Sequence, residues 1–165
     1  MASFPRERDR KILESVVTKT VSRFIAYLPS FDFGNDALLI LADYATIDWL
    51  IAQFGRLSNT PAGSDCPSFI IGDGNPVGSD GRCLLVVELE NLEEGTRLIR
   101  ESEKTFRWKV SRPSANHYRE LLSGMFGPGP GHQYLDNDTG PGIIVSRDEY
   151  DADWVREMKL RNEAK

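Results

Sequence analysis

Residues 106–150 constrain the fold most, because their hydrophobic pattern changes period within one short segment. Apolar and polar residues alternate over 106–111, which is the two-residue period of a strand with one buried face. Over residues 114–126 the apolar residues recur at helical spacing and form one stripe, made of Tyr118, Leu121, Leu122 and Met125. The pattern predicts a strand followed by a helix that covers the sheet.

The sequence Gly-Pro-Gly-Pro-Gly at residues 127–131 ends this helix, because proline cannot donate the helical hydrogen bond and glycine favours turns. The short runs at 132–136 and 142–146 are then predicted to be strands. A strand, helix, strand, strand unit of this kind is typical of an α+β fold.

Two helices are predicted in the N-terminal third of the chain. Residues 8–28 carry apolar side chains at helical spacing, and residues 36–55 repeat that pattern with a high content of leucine and alanine. For the second segment, a strand at 37–42 followed by a shorter helix is the alternative.

A run of short apolar segments separated by turn residues predicts an antiparallel meander. Its four strands are 68–71, 83–89, 96–101 and 106–111. Residues 92–101 are also compatible with a helix, which leaves the third strand open. Residues 151–165 are compatible with a C-terminal helix.

The predicted fold class is α+β, with a mostly antiparallel sheet of five or six strands, two N-terminal helices and a further helix packed on it. A chain of 165 residues fits a single domain, 1–165, with frayed termini at 1–7 and 160–165. No internal repeat is visible in the sequence.

Charge is unevenly distributed along the chain, whose net charge is −5. Acidic residues dominate 31–94, where the only bases are Arg56 and Arg82, whereas bases dominate 95–120. A mostly acidic surface repels phosphate backbones, so nucleic acid is an unlikely partner and a protein is the favoured one.

The N-terminal sequence is charged where a signal peptide needs an apolar core, which predicts a cytoplasmic protein with no membrane association. Cys66 and Cys83 lack the spacing of a zinc site and are predicted to be reduced and unpaired. Neither a cofactor nor a structural metal is expected.

The candidate catalytic residues are His132, Tyr134 and Asp136, which share one face of the predicted strand 132–136. An imidazole near a carboxylate can act as a general base, because the carboxylate orients the ring and raises its basicity. His117 and Glu149 could contribute through tertiary approach. The alternative is an ordinary exposed strand end after a rigid loop.

Four bases form a candidate binding strip on neighbouring predicted strands: Arg97, Arg100, Arg107 and Lys109. Such a strip could dock an anion or an acidic protein. The alternative is a solvated sheet face on which these bases pair with Glu88, Glu101 or Glu103.

The favoured function is a protein-binding or accessory module that acts through its mostly acidic surface. A homodimer through residues 36–55 is also predicted, because apolar residues lie off the main helical stripe there, namely Leu38, Leu41 and Trp49. The alternative function is a small hydrolase or metal-assisted enzyme centred on His132 and Asp136.

Overall fold

A computed structural model describes residues 24–32, 34–61, 63–65, 67–72, 83–90, 95–135 and 141–163. Over these residues the fold is α+β, as predicted, with eight strands and three α-helices. The strands are β1 (Phe24–Asp32), β2 (Asn35–Ala42), β3 (Ser68–Ile71), β4 (Leu84–Leu89), β5 (Thr96–Arg100), β6 (Thr105–Val110), β7 (Gly131–Leu135) and β8 (Gly142–Arg147). The helices are α1 (Tyr44–Ser58), α2 (Arg112–Ser123), which a 3-10 turn extends to Phe126, and α3 (Ala152–Glu163).

The described strands form two four-stranded sheets rather than the single predicted sheet of five or six strands. Sheet A has the order β1-β2-β8-β7, and sheet B has the order β3-β4-β6-β5. In both, a parallel central pair is flanked by antiparallel edge strands. The predicted meander is wrong because β4 pairs in parallel with β6, which displaces the more polar β5 to the edge, where charged residues are tolerated.

The prediction of two N-terminal helices is wrong in two places. Residues 8–23 lie outside the described residues, but 24–28 belong to β1, and 36–42 belong to β2 rather than to a helix. Both strands are buried on their two faces. Their apolar residues therefore follow one another without alternation, and this pattern resembles the apolar stripe of a helix. The alternative of a strand followed by a shorter helix is confirmed.

Helix α1 begins after Asp43, whose carboxylate accepts a hydrogen bond from the Thr46 backbone N–H at 2.7 Å. Its buried face consists of Ile47, Leu50, Phe54 and Leu57. The half-buried Trp49 packs edge-on against Phe69 of β3. These contacts within the chain account for the apolar residues of 36–55 that lie off the predicted helical stripe. The homodimer through this segment stays a prediction.

One continuous core joins α1, α2 and the inner faces of both sheets. Its centre is aromatic, with the Phe54, Trp108 and Tyr118 rings 4.9–5.9 Å apart between centroids. Trp108 is fully buried, which confirms the predicted inward phase of its strand.

A second, smaller cluster covers the outer face of sheet A. There Val155 and Trp154 of α3 pack over apolar residues of β1, β2 and β8. Strands β1, β2 and β8 of sheet A are therefore buried on both faces, whereas β7 is exposed on its outer face.

The two sheets are built from two similar halves that exchange hairpins. Residues 24–89 and 95–147 each form two strands, a helix and two strands. Sheet A contains the β1–β2 hairpin of the first half and the β7–β8 hairpin of the second half. Sheet B contains the β3–β4 hairpin of the first half and the β5–β6 hairpin of the second half. The buried residues of α1 recur at the same interval along α2, as Ala115, Tyr118, Leu122 and Met125. The described chain is thus a pseudo-symmetric pair of units, although the sequence shows no repeat.

Cys83 is a buried free thiol, and burial raises its pKa to about 12. Cys66 lies outside the described residues. Among the helices that the structure describes, none is long and apolar enough to cross a membrane.

Candidate functional site

The carboxyl ends of β2 and β8 emerge side by side, because Ala42 and Arg147 are paired in parallel register. Tyr44 opens α1 just after β2, and Asp148 and Glu149 follow β8. Functional groups collect at this edge in many α/β proteins, because loops from adjacent strands converge there. In this protein the Pro-Gly loop of residues 127–131 packs against the same edge.

Arg147 holds that loop in place from inside the protein. Its side chain is 5% exposed, and its Nη2 donates hydrogen bonds to the carbonyl oxygens of Gly127, at 2.7 Å, and Gly129. The guanidinium carbon lies 4.4 Å from the centroid of the Tyr44 ring. Its Nη1 is 3.5 Å from Asp148, while its buried Nε finds no hydrogen-bond partner among the described residues. Within the described part of the chain, the buried Arg147 cation is thus paired with one exposed carboxylate, that of Asp148.

Tyr44 and Phe126 form an exposed aromatic pair, named here the aromatic platform. The side chains are 47% and 44% exposed, and the rings stack with planes 8° apart and centroids 6.1 Å apart. The Tyr44 hydroxyl also donates to the Gly127 carbonyl oxygen at 3.2 Å. Because Arg147 and the loop fix one side of the pair, the platform is rigid while its outer side faces solvent.

Three carboxylates lie at the same edge of sheet A as Tyr44, near the ends of β2 and β8 and the start of α1. Asp48 lies one helical turn after Tyr44 and is exposed, and the Asp148 side chain is 66% exposed. Asp43 is exposed at the same edge, although its carboxylate caps α1. Asp43, Asp48 and Asp148 are named here the acidic rim. The three rim carboxylates outnumber the guanidinium of Arg147, so the summed charge of these four side chains is negative.

His132 and Tyr134 lie on the outward face of β7, as predicted, with ring centroids 5.4 Å apart. His132 Nδ1 is 2.8 and 2.9 Å from the two carboxylate oxygens of Glu149. Asp136 lies outside the described residues. His117 sits on the exposed side of α2, and its nearest described ring is Tyr118. His132 thus meets the carboxylate of Glu149, one of the two further contributors considered, while its predicted pairing with Asp136 stays a prediction.

The predicted basic strip is divided between the two faces of sheet B. Arg97, Arg107 and Lys109 lie on the outer face, where Arg107 pairs with Glu88 at 2.8 Å and Glu101 at 2.5 Å. These hydrogen bonds raise the pKa of Arg107 above its usual value. Lys109 and Arg97 approach Glu90 at 3.6 and 3.4 Å. This geometry agrees with the alternative interpretation, in which the bases lie on a solvated sheet face and pair with glutamates. A binding role for these bases stays a prediction.

Arg100, the fourth base, points to the joint between the two sheets. Its guanidinium carbon lies 4.5 Å from the Tyr27 ring centroid and 5.4 Å from that of Phe106. The Tyr27 hydroxyl donates to Asp36 at 2.6 Å, and the Ser30 backbone N–H donates to the other oxygen of Asp36. These two hydrogen bonds hold the pKa of Asp36 below its usual value, while burial and the Asp36 contact raise the pKa of Tyr27. Arg100 therefore belongs to a structural cluster.

Sequence reasoning missed Arg147, Tyr44 and Phe126. Tyr44 lies inside the segment 36–55 that was predicted to be one helix, and Arg147 ends an apolar strand without a motif. One sequence signal could have predicted that Arg147 is buried. It follows Ile143 and Val145 at the two-residue period of a strand, so its side chain lies on the same inward face.

Among the described residues, no group of three or more His, Cys, Asp and Glu side chains is placed to hold a metal ion. Neither a known protein family, nor a characterised protein, nor a solved structure matches this chain.

Proposed function

We propose that this chain is a cytoplasmic protein-binding module that docks its partner on the aromatic platform and its acidic rim. The observation that supports this is the exposed, prearranged pair of Tyr44 and Phe126. Exposed aromatic rings are favoured at protein interfaces, because they bury a large area at a low cost in side-chain entropy.

Rigidity of the platform strengthens the proposal. Binding surfaces gain affinity when they are ordered before the partner arrives, because less conformational entropy is lost on association. Tyr44 is fixed by the Arg147 guanidinium and by its hydrogen bond to Gly127. Only the solvent side of the two rings is left to be covered by a partner.

Affinity purification of the tagged protein, compared between matched variants, tests this function. Phe126→Ala should remove the co-purifying partner, since it deletes half of the platform. Ile99→Ala serves as the control, because Ile99 is also exposed, at 36%, but lies on the outer face of sheet B. A partner retained by Phe126→Ala and lost from Ile99→Ala would contradict the proposal.

The second candidate function is hydrolysis at His132, and the 2.8 Å contact with Glu149 is the observation that favours it. A carboxylate on Nδ1 orients the ring and leaves Nε2 to accept a proton, which is the arrangement of a general base. His132 is partly exposed, so a substrate could reach it.

A panel of p-nitrophenyl esters and phosphates tests hydrolysis. His132→Gln should abolish turnover and Glu149→Gln should reduce it, while His117→Gln should leave it unchanged because His117 lies on a separate helix. Equal turnover in the His132 and His117 variants would reject this second function.

A further inference from the structure

We propose that the aromatic platform binds an arginine side chain carried by a basic segment of the partner protein. This inference rests on the proposed protein-binding function and adds the chemistry of the partner. Three features of the described residues support it: the stacking already seen at Tyr44, the charge of the rim and the flatness of the platform.

The first feature is the contact between Arg147 and Tyr44. The guanidinium carbon of Arg147 lies 4.4 Å from the Tyr44 ring centroid, a favourable cation–π distance. Because Arg147 is buried, it approaches Tyr44 from the protein side. A cation that arrives from solvent can make the same cation–π contact with the exposed parts of Tyr44 and Phe126.

The second feature is the charge of the rim. A cation that approaches from solvent meets Asp48 and Asp148, both exposed. Cation–π attraction and charge attraction then act in the same direction, whereas an anionic side chain would be repelled. A basic segment is thus the complementary partner.

The third feature separates arginine from lysine. Each ring is planar, and the two rings are stacked within 8° of parallel with 47% and 44% of their side chains exposed, so the exposed part of each ring is a flat aromatic surface. A planar guanidinium can stack on such a surface and still donate hydrogen bonds in its plane to carboxylates, which a compact ammonium cannot do. Arginine is therefore expected to bind more tightly than lysine.

Titration with synthetic peptides tests the inference on the full chain. The probe is a short glycine-serine peptide with two arginines, and the matched peptides carry two lysines or two citrullines. The arginine peptide should bind about 2- to 5-fold more tightly than the lysine peptide, and the uncharged citrulline peptide should bind weakest.

Variants of the protein assign the binding to the platform. Phe126→Ala should weaken the arginine peptide about 2- to 5-fold, and Phe126→Trp should strengthen it, because indole is the best cation–π partner. Asp48→Asn should weaken binding and flatten its dependence on salt, whereas Glu103→Gln, an exposed change in the β5–β6 turn, should do neither.

Three results would overturn the inference: no binding of the arginine peptide, equal binding by wild type and Phe126→Ala, or no preference for arginine over citrulline. A wild-type dimer that Phe126→Ala converts to a monomer would also overturn it, because the occupant would then be a second copy of the chain. If the partner from cells depends on Phe126 but the peptides do not bind, the protein-binding function stands and the arginine assignment fails.

Discussion

Sheets A and B share a strand order but differ on their outer faces. Leu39 and Leu41 of β2 occupy the positions that Arg107 and Lys109 occupy in β6. The leucines are buried in the cluster that α3 covers, and the bases form ion pairs with glutamates. The same backbone plan therefore supports a covered layer or a solvated face, and the residues at outward positions decide between them.

The largest expected effect contrasts the two faces of one strand in sheet B. Trp108→Ala should cost about 3–5 kcal/mol of unfolding free energy, because it empties a fully buried site. Lys109→Ala, its outward neighbour, should cost about 0.5 kcal/mol or less. Urea unfolding measures both. Similar midpoints would show that the outer face of sheet B is not a simple solvated surface.

The second effect compares equivalent outward positions of the two sheets. Leu39→Ala should cost about 2–5 kcal/mol, because its side chain is fully buried under the outer cluster. Arg107→Ala removes two surface ion pairs, and such pairs contribute little in water, so it should destabilise the protein much less than Leu39→Ala. Thermal and urea unfolding measure the stability of both variants. Equal losses would contradict the difference between the covered outer face of sheet A and the solvated outer face of sheet B.

The third effect concerns the end of each sheet. Arg147 of β8 occupies the position of the buried Leu89 in β4. Arg147→Leu makes the two sheets alike but removes the charged donor from the Gly129 carbonyl and leaves the Gly127 carbonyl with the Tyr44 hydroxyl as its donor, which should cost about 1–3 kcal/mol. The matched control is Arg156→Leu, an exposed change on α3 that should be near neutral. If Arg147→Leu is as stable as wild type in urea, the loop does not depend on this cation.

The smallest effect lies at the joint between the sheets and depends on pH. The pKa of Asp36 is lower in the folded protein than in the unfolded chain, so its ionised form stabilises the fold above pH about 4. That stabilisation is lost as the pH falls through the folded-state pKa. Asp36→Asn should therefore destabilise the protein at pH 7 and lose its effect in acid.

Unfolding in urea across pH 7 to 2.5 measures this dependence. Asp65→Asn is the control, since Asp65 is exposed in a loop. A destabilisation by Asp36→Asn that stays constant across this range would show that the hydrogen bonds of Asp36 do not depend on its charge.

Local pattern predicted the strands and helices well wherever one face is buried and the other is wet. β3 and β6, together with the helix that follows β6, were found close to their true bounds for this reason. β1 and β2 were missed because both of their faces are apolar. The second sheet was missed because β8 pairs in parallel with β2, and a pairing between strands so far apart leaves no mark in the sequence of either strand.

The candidate site was predicted in part. The sequence predicts Asp136 as the carboxylate beside His132 and Glu149 as a further contributor; Glu149 contacts the imidazole, and Asp136 lies outside the described residues. The aromatic platform could not be predicted, because Tyr44 and Phe126 come together only when residues far apart in sequence meet across the Pro-Gly loop.

The exchange of hairpins has a consequence for how the chain folds. Sheet A needs β8 as a central strand, so β2 must wait for its second partner, which is synthesised about a hundred residues later. Such long-range pairing slows folding, because loop-closure entropy is lost before the contacts form. During synthesis the apolar outer edge of β2 is exposed until residues 142–147 arrive, and in that interval the nascent chain is most vulnerable to aggregation.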